Sequence, residues 1–121
     1  MSEQTAPWPT EIRLKKDRRT LVVAFDDGVV ADLSAEMLRV MSPSAEVQGH
    51  SPEQRVLVAG KKNVEIAGID PIGNYAVRLT FNDGHATGLF SWTYLRTLHE
   101  ERDKRWAEYL AELGSKGMER G

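Results

Sequence analysis

The chain has 121 residues, 40% of them apolar and 28% charged, with a formal net charge of −2 and no cysteine. That length suits one domain, and the charge balance speaks against a protein built to bind nucleic acid or an anionic membrane. Without cysteine there can be no disulfide, thiolate metal site or cysteine nucleophile. No apolar run approaches the roughly 18 residues that span a bilayer. The start, M-S-E-Q-T-A-P-W-P, lacks the basic and apolar regions of a signal peptide. The expected setting is therefore cytoplasmic.

Residues 1–10 are polar and read as a flexible arm, which Trp8, between Pro7 and Pro9, could pin down. A domain is expected over residues 11–99. Ile12 and Leu14 alternate with charged residues, as in a half-buried strand, and residues 17–19 make a polar turn. The run L-V-V-A-F-D-D-G-V-V-A-D-L-S from Leu21 predicts a hairpin around Asp26-Asp27-Gly28, with a type I turn, a left-handed glycine and a bulge. That register pairs Phe25 with Val29, Val23 with Ala31 and Leu21 with Leu33, and gathers all six on one apolar face. Ser34 is placed to cap a short helix that turns Met37 and Leu38 inward, and Pro43 stops it. Residues 42–55 read as a long loop. Residues 56–58 and 64–69 read as two short strands joined at Gly60-Lys61-Lys62-Asn63, and Pro71 and Gly73 then turn the chain.

The hairpin pattern recurs. F-N-D-G at residues 81–84 matches F-D-D-G at 25–28, Leu89 stands in the place of Leu33, and Ser91 caps a second helix. Two strand–turn–strand–helix units 56 or 57 residues apart are either a duplicated unit or two uses of the same turn chemistry. Trp92, Leu95 and Leu98 form a core-facing helical stripe. After the polar run H-E-E-R-D-K-R at 99–105, Trp106, Leu110 and Leu113, bordered by Tyr109, restore such a stripe in a helical extension over residues 100–114. This stripe either folds back on the domain or docks a partner or a second copy. The tail at 115–121 is expected to be disordered. The fold class expected is a small single α+β domain, mainly antiparallel sheet with hairpins, one short and one longer helix.

No catalytic constellation stands out. G-I-D-P-I-G at 68–73 lacks the spacing of a phosphate loop, and there is no G-x-S-x-G. No aspartate stands two residues after His50, His85 or His99, as an H-x-D iron triad requires. Asp26, Asp27 and Asp83 are turn residues. The basic groups around Lys15, Lys16, Arg18 and Arg19 and at Lys61-Lys62 have no interleaved aromatics and read as solvated turn charges. His85 follows the left-handed glycine and faces the same side as Phe81. It is either a hairpin-rim residue bonded to a carbonyl or a ligand looking across at residues 42–50. His50, in G-H-S-P, is an exposed loop histidine by default.

Three motifs carry a resemblance: L-R-V-M-S-P-S-A-E-V-Q-G-H at 38–50, G-N-Y-A-V-R at 73–78 and F-N-D-G-H-A-T-G-L-F-S-W-T-Y-L at 81–95. In this order they resemble the small domain at the N-terminus of gamma-butyrobetaine hydroxylase and trimethyllysine dioxygenase. Related domains stand alone in bacteria or are attached to Mrp-type ATPases of iron–sulfur assembly. The resemblance covers residues 8–98 and implies a mixed domain on an antiparallel sheet. In those dioxygenases the iron and 2-oxoglutarate sit in a separate, much longer catalytic domain, so it implies no enzyme here. It also implies a structural zinc held by three cysteines and one histidine. The cysteine positions fall at Ser42, Ser44 and near Val47, and the histidine at His85. Serine is a poor zinc ligand and valine none, so no cofactor is expected and His85 is left over. Any remaining metal site would be weak and would use His85 with His50 and a carboxylate such as Glu46. The function this implies is a non-catalytic accessory or protein-interaction domain, in the company of metal-dependent or iron–sulfur enzymes. The alternative is a weak metal- or small-ligand-binding protein centred on His85. A protein partner is expected, a homo-oligomer is compatible with the sequence, and Trp106, Tyr109, Leu110 and Leu113 are the candidate interaction surface.

Overall fold

The computed structural model describes residues 8–49, 55–86 and 88–121. They form two three-stranded antiparallel sheets, in the orders β1-β2-β3 and β4-β5-β6, and four helical segments. The elements run β1 (Pro9–Leu14), β2 (Thr20–Phe25), β3 (Val30–Ser34), α1 (Ala35–Val40), α2 (Ala45–Gln48), β4 (Ile66–Ile72), β5 (Ala76–Phe81), β6 (Leu89–Ser91), α3 (Trp92–Glu100) and α4 (Arg102–Ser115). The α+β class is as expected. Among the helices, α2 lies in the segment read as loop.

The first hairpin has the expected register. Leu21 pairs with Leu33 and Val23 with Ala31, and Phe25 N–H donates to Val29 O at 2.8 Å. Leu21, Val23, Phe25, Ala31 and Leu33 are all buried, which is what a period-two apolar face achieves when it meets a second layer. That layer is the matching face of the second sheet, with Ile66, Val77, Leu79, Phe81 and Phe90, and the inner sides of α1 and α3, with Met37, Leu38, Leu95 and Leu98. Both α1 and α3 start on a serine in extended conformation. Ser34 Oγ accepts from Met37 N–H and Ser91 Oγ from Tyr94 N–H, both at 3.1 Å. The side chain thereby satisfies an amide that the first helical turn leaves without a partner. Arg18 joins the two sheets at one end. It sits at φ 61°, and its guanidinium donates to Ile66 O and Ala67 O at 3.1 and 2.9 Å.

Four local expectations change. Residues 56–58 make no strand, because other groups take their hydrogen bonds: Val56 N–H donates to Val47 O and Tyr109 Oη donates to Val58 O at 2.7 Å. Pro71 does not turn the chain. It lies inside β4, which is an edge strand, where a missing N–H leaves no ladder bond broken. The tail is placed rather than loose. Gly60 N–H and Lys62 N–H donate to Glu119 O and Arg120 O, and Arg120 pairs with Glu36 of α1. Leu89 does not take the place of Leu33. It is 41% exposed, and Phe90 is the buried residue.

The last of these follows from a difference between the hairpins. In both turns the glycine has positive φ, 88° at Gly28 and 93° at Gly84. In the second, Phe81 N–H still donates to His85 O at 2.9 Å. Yet β6 pairs Val77 with Phe90 and Arg78 with Leu89, which leaves one residue more on the returning side than in the first hairpin. The slack lies between His85 and Leu89, and it sends Phe90 inward instead of Leu89.

Candidate functional site: the serine and histidine at the open hairpin

The chain between α1 and α2 fills the place where the second hairpin opens. Ser42 Oγ lies 3.0 Å from His85 Nε2 and also accepts from Ser44 N–H at 3.3 Å. The Ser42 carbonyl accepts from Gln48 Nε2 at 2.9 Å, which ties α2 back onto this corner. Gly88 makes the approach feasible: a Cβ there would collide with Ser42 Oγ and crowd the Phe90 ring at 3.1 Å. Ser42 is fully buried, Ser44 6% exposed and His85 7% exposed. The His85 ring stands 6.1 Å from that of Phe81.

The turn that presents His85 is held by charge. Asp83 Oδ1 accepts from His85 N–H at 3.1 Å, while Oδ2 receives Lys61 Nζ at 2.6 Å and Arg39 Nε at 2.8 Å. Burial pulls the Asp83 pKa upward. The Lys61, His85 N–H and Arg39 contacts outweigh it and hold the carboxyl well below the usual carboxylate range. Arg39 Nη1 is buried and has no hydrogen-bond partner. The first hairpin has its own counterpart. Arg96 of α3 pairs with Asp27 at 2.8 Å, lowers its pKa, and lies over the Phe25 ring at 5.1 Å.

The sequence candidates separate. His85 is in the cluster, with its Nε2 at 3.0 Å from the Ser42 hydroxyl. His50 lies outside the described residues, as does the side chain of Glu46, so the pairing of either with His85 is not placed. Val47, at the remaining position that the resemblance assigned to a zinc ligand, is 2% exposed and carries no donor atom. Two neutral hydroxyls, one imidazole and an isopropyl group do not make a zinc site, so the residues present do not fit that metal. No group of three His, Asp or Glu able to hold a metal occurs among the described residues. Nor is the Ser42–His85 pair presented as a nucleophile. Gly88 closes over Ser42 Oγ, and a hydroxyl with no exposure meets no substrate.

Trp106, Tyr109, Leu110 and Leu113 do not form one open face. Tyr109 and Leu113 are buried with Val40 in a second small core against Leu57, Val58 and Ala59, and Trp106 packs at its border. Leu110 alone of the four is exposed, at 40%. The helix folds back because residues 57–59, without a strand partner, offer it an apolar bed. Between α4 and the α1–α2 corner runs a cleft of about 540 Å³, lined by Met41, Pro43, Tyr94, Arg105 and Tyr109 among others. Its tyrosine hydroxyls are engaged: Tyr94 donates to Met41 O at 2.6 Å and Tyr109 to Val58 O. Burial raises both pKa values.

Sequence reasoning missed Arg39, Lys61, Glu36 and Arg120. Asp83 was read as a turn former, with no sign that two cations converge on it. Glu36, at the second position of α1, is buried in the structure, and a buried carboxylate there calls for a cation from elsewhere in the chain.

The family model described as gamma-butyrobetaine hydroxylase-like, N-terminal, matches residues 12–96. Two proteins solved by NMR in solution are similar over nearly their whole length. One is 50% identical, with 94% of this chain and 90% of that one covered and a TM-score of 0.80. The other is 48% identical, with 99% and 90% covered and a TM-score of 0.82. A crystal structure of a protein of unknown function from Acidithiobacillus ferrooxidans, of the DUF971 family, is 41% identical, with 75% and 91% covered and a TM-score of 0.63. No curated protein matches the chain.

Proposed function

The chain belongs to the gamma-butyrobetaine hydroxylase-like N-terminal domain family, and from that premise we propose that it is a non-catalytic accessory domain that acts by binding another protein. The match accounts for residues 12–96, and nothing in the 121 residues corresponds to a dioxygenase catalytic domain. The observation that carries the reading is the set of exposed aromatic residues around Trp92. Trp8 is 49% exposed and meets Trp92 edge-to-face at 6.4 Å. Tyr75 is 53% exposed, and its carbonyl accepts the Trp92 N–H at 3.0 Å. The group is fixed in place: Asp26 N–H donates to Trp8 O at 2.8 Å, and Trp92 Nε1 donates to Asn74 O at 2.9 Å. Rigid tryptophan and tyrosine side chains that stay half in water are the residue types that dominate protein interfaces. The partner's link to metal-dependent or iron–sulfur enzymes is part of this proposal and rests on family analogy.

The test is affinity capture from the native cell with the wild-type chain and with a Trp8→Ala, Tyr75→Ala double variant of unchanged melting temperature. The reading expects a partner retained by the wild type and lost by the variant. Identical capture by both would remove the aromatic group from the account.

A further inference from the structure

The tail after α4 sits in a site built for an arginine. Glu36 is 6% exposed, and its carboxylate takes both arms of the Arg120 guanidinium, Oε2 from Nε at 3.0 Å and Oε1 from Nη2 at 2.8 Å. The same guanidinium lies over the Trp106 ring, 5.4 Å from its centre. A planar fork on a carboxylate with an aromatic face beside it suits arginine and not lysine. A groove of about 300 Å³ runs beside it, lined by Arg120 itself with Glu36, Met37, Arg102, Asp103 and Trp106. Backbone is recognised too: Gly60 N–H and Lys62 N–H donate to the carbonyls of Glu119 and Arg120 at 3.1 and 2.9 Å. The residue after the arginine is crowded, because a Cβ at Gly121 would come within 3.1 Å of Lys62 Cβ. Carboxylate, aromatic face, two backbone donors and a steric limit together define a reader of the pair arginine–glycine.

The geometry points to a peptide-binding groove for an extended arginine–glycine segment of a partner protein, which Arg120 and Gly121 of this chain occupy in its absence. A Glu36 carboxylate left buried without a guanidinium would be costly, so the tail keeps the groove stable until a competing segment replaces it. The Arg120 side chain remains 42% exposed, so exchange needs no opening of the core. This site shares no residue with the Trp8, Tyr75 and Trp92 group, and each can fail without the other.

The test uses the full chain carrying Arg120→Ala and a blocked peptide, acetyl-Gly-Met-Glu-Arg-Gly-amide, followed by calorimetry and by the amide signals of Gly60 and Lys62. The variant should bind the peptide at least ten-fold more tightly than the wild type does. It should also bind it at least ten-fold more tightly than it binds the peptide with lysine for arginine or valine for the last glycine. Both amide signals should move. No binding at millimolar peptide, equal affinity for the arginine and lysine peptides, or equal affinity of wild type and variant would each overturn the assignment. Should Arg120→Ala fail to fold, Arg120→Lys replaces it, with the same ranking of peptides expected and the same failures decisive. A wild-type dimer in sedimentation that Arg120→Ala abolishes would make the occupant a second copy and would overturn the claim for a separate partner.

Discussion

The two hairpins use the same parts and differ at one point. Each turns through an aspartate and a left-handed glycine, returns to a capping serine, and starts a helix whose fifth residue after that serine is an arginine, Arg39 or Arg96. The arginines cross over: Arg39 of the first unit holds Asp83 of the second, and Arg96 of the second holds Asp27 of the first. The units are thus related by an approximate exchange, and each helix closes the other's turn. The first hairpin stays paired along its length, with Ala31 buried and opposite Val23. The second carries an extra residue and has Gly88 where the first has Ala31, counted from the capping serines. There the Ser42 corner enters and meets His85. One inserted residue converts a plain hairpin into one that receives another segment, and the Ser42–His85 contact arises at that slack.

The sharpest way to break this comparison is to exchange the roles of Leu89 and Phe90. Phe90→Ala should cost about 3–5 kcal/mol of unfolding free energy in urea, as for a fully buried phenylalanine. Leu89→Ala, at a site open to water, should stay within about 0.5 kcal/mol of wild type. The opposite ranking would mean that the second hairpin keeps the register of the first. Next in size is Gly88→Ala. It should lose about 1–3 kcal/mol because the new methyl group meets Ser42 Oγ, although alanine is the native residue at the corresponding place in the first hairpin. A neutral result would show that Ser42 does not approach this closely.

A smaller effect should separate the two ion pairs in acid. The folded pKa of Asp83 lies below its ordinary value of 3.8, so its contribution is complete above that value and fades as the pH falls through the folded pKa. Asp83→Asn should therefore be less stable than wild type, by about 1 kcal/mol after solvent screening, down to pH ~4, and the gap should narrow below it. A gap that does not change with pH would assign the loss to the turn and not to the charge. Asp27, more exposed than Asp83, should show the same sign and a smaller change.

Much of the fold could be read from the sequence because it rests on local rules. The period-two apolar faces, the aspartate–glycine turns and the two capping serines each act within a few residues, and they fixed the register of the first hairpin and the starts of α1 and α3. What escaped depends on competition between distant groups. Residues 56–58 have strand-forming side chains, yet their neighbouring amides go to α2 and to the tail. The slack before Leu89 cannot be read from the F-N-D-G turn, since it answers to Ser42, far back in the chain. Of the site, His85 was visible by its place after the glycine. The register aimed it at residues 42–50 without singling out Ser42, and the Glu36–Arg120 pair joins residues 84 apart with no local pattern to announce it.

The central claim is that His85 is held by a serine hydroxyl and closes the second hairpin without a metal. Elemental analysis of the purified chain, joined to thermal melts with and without a strong chelator, tests it most directly. The account predicts no stoichiometric metal and a melting temperature that the chelator leaves unchanged within error. Zinc at one equivalent, with a fall of many degrees on chelation that zinc restores, would contradict it.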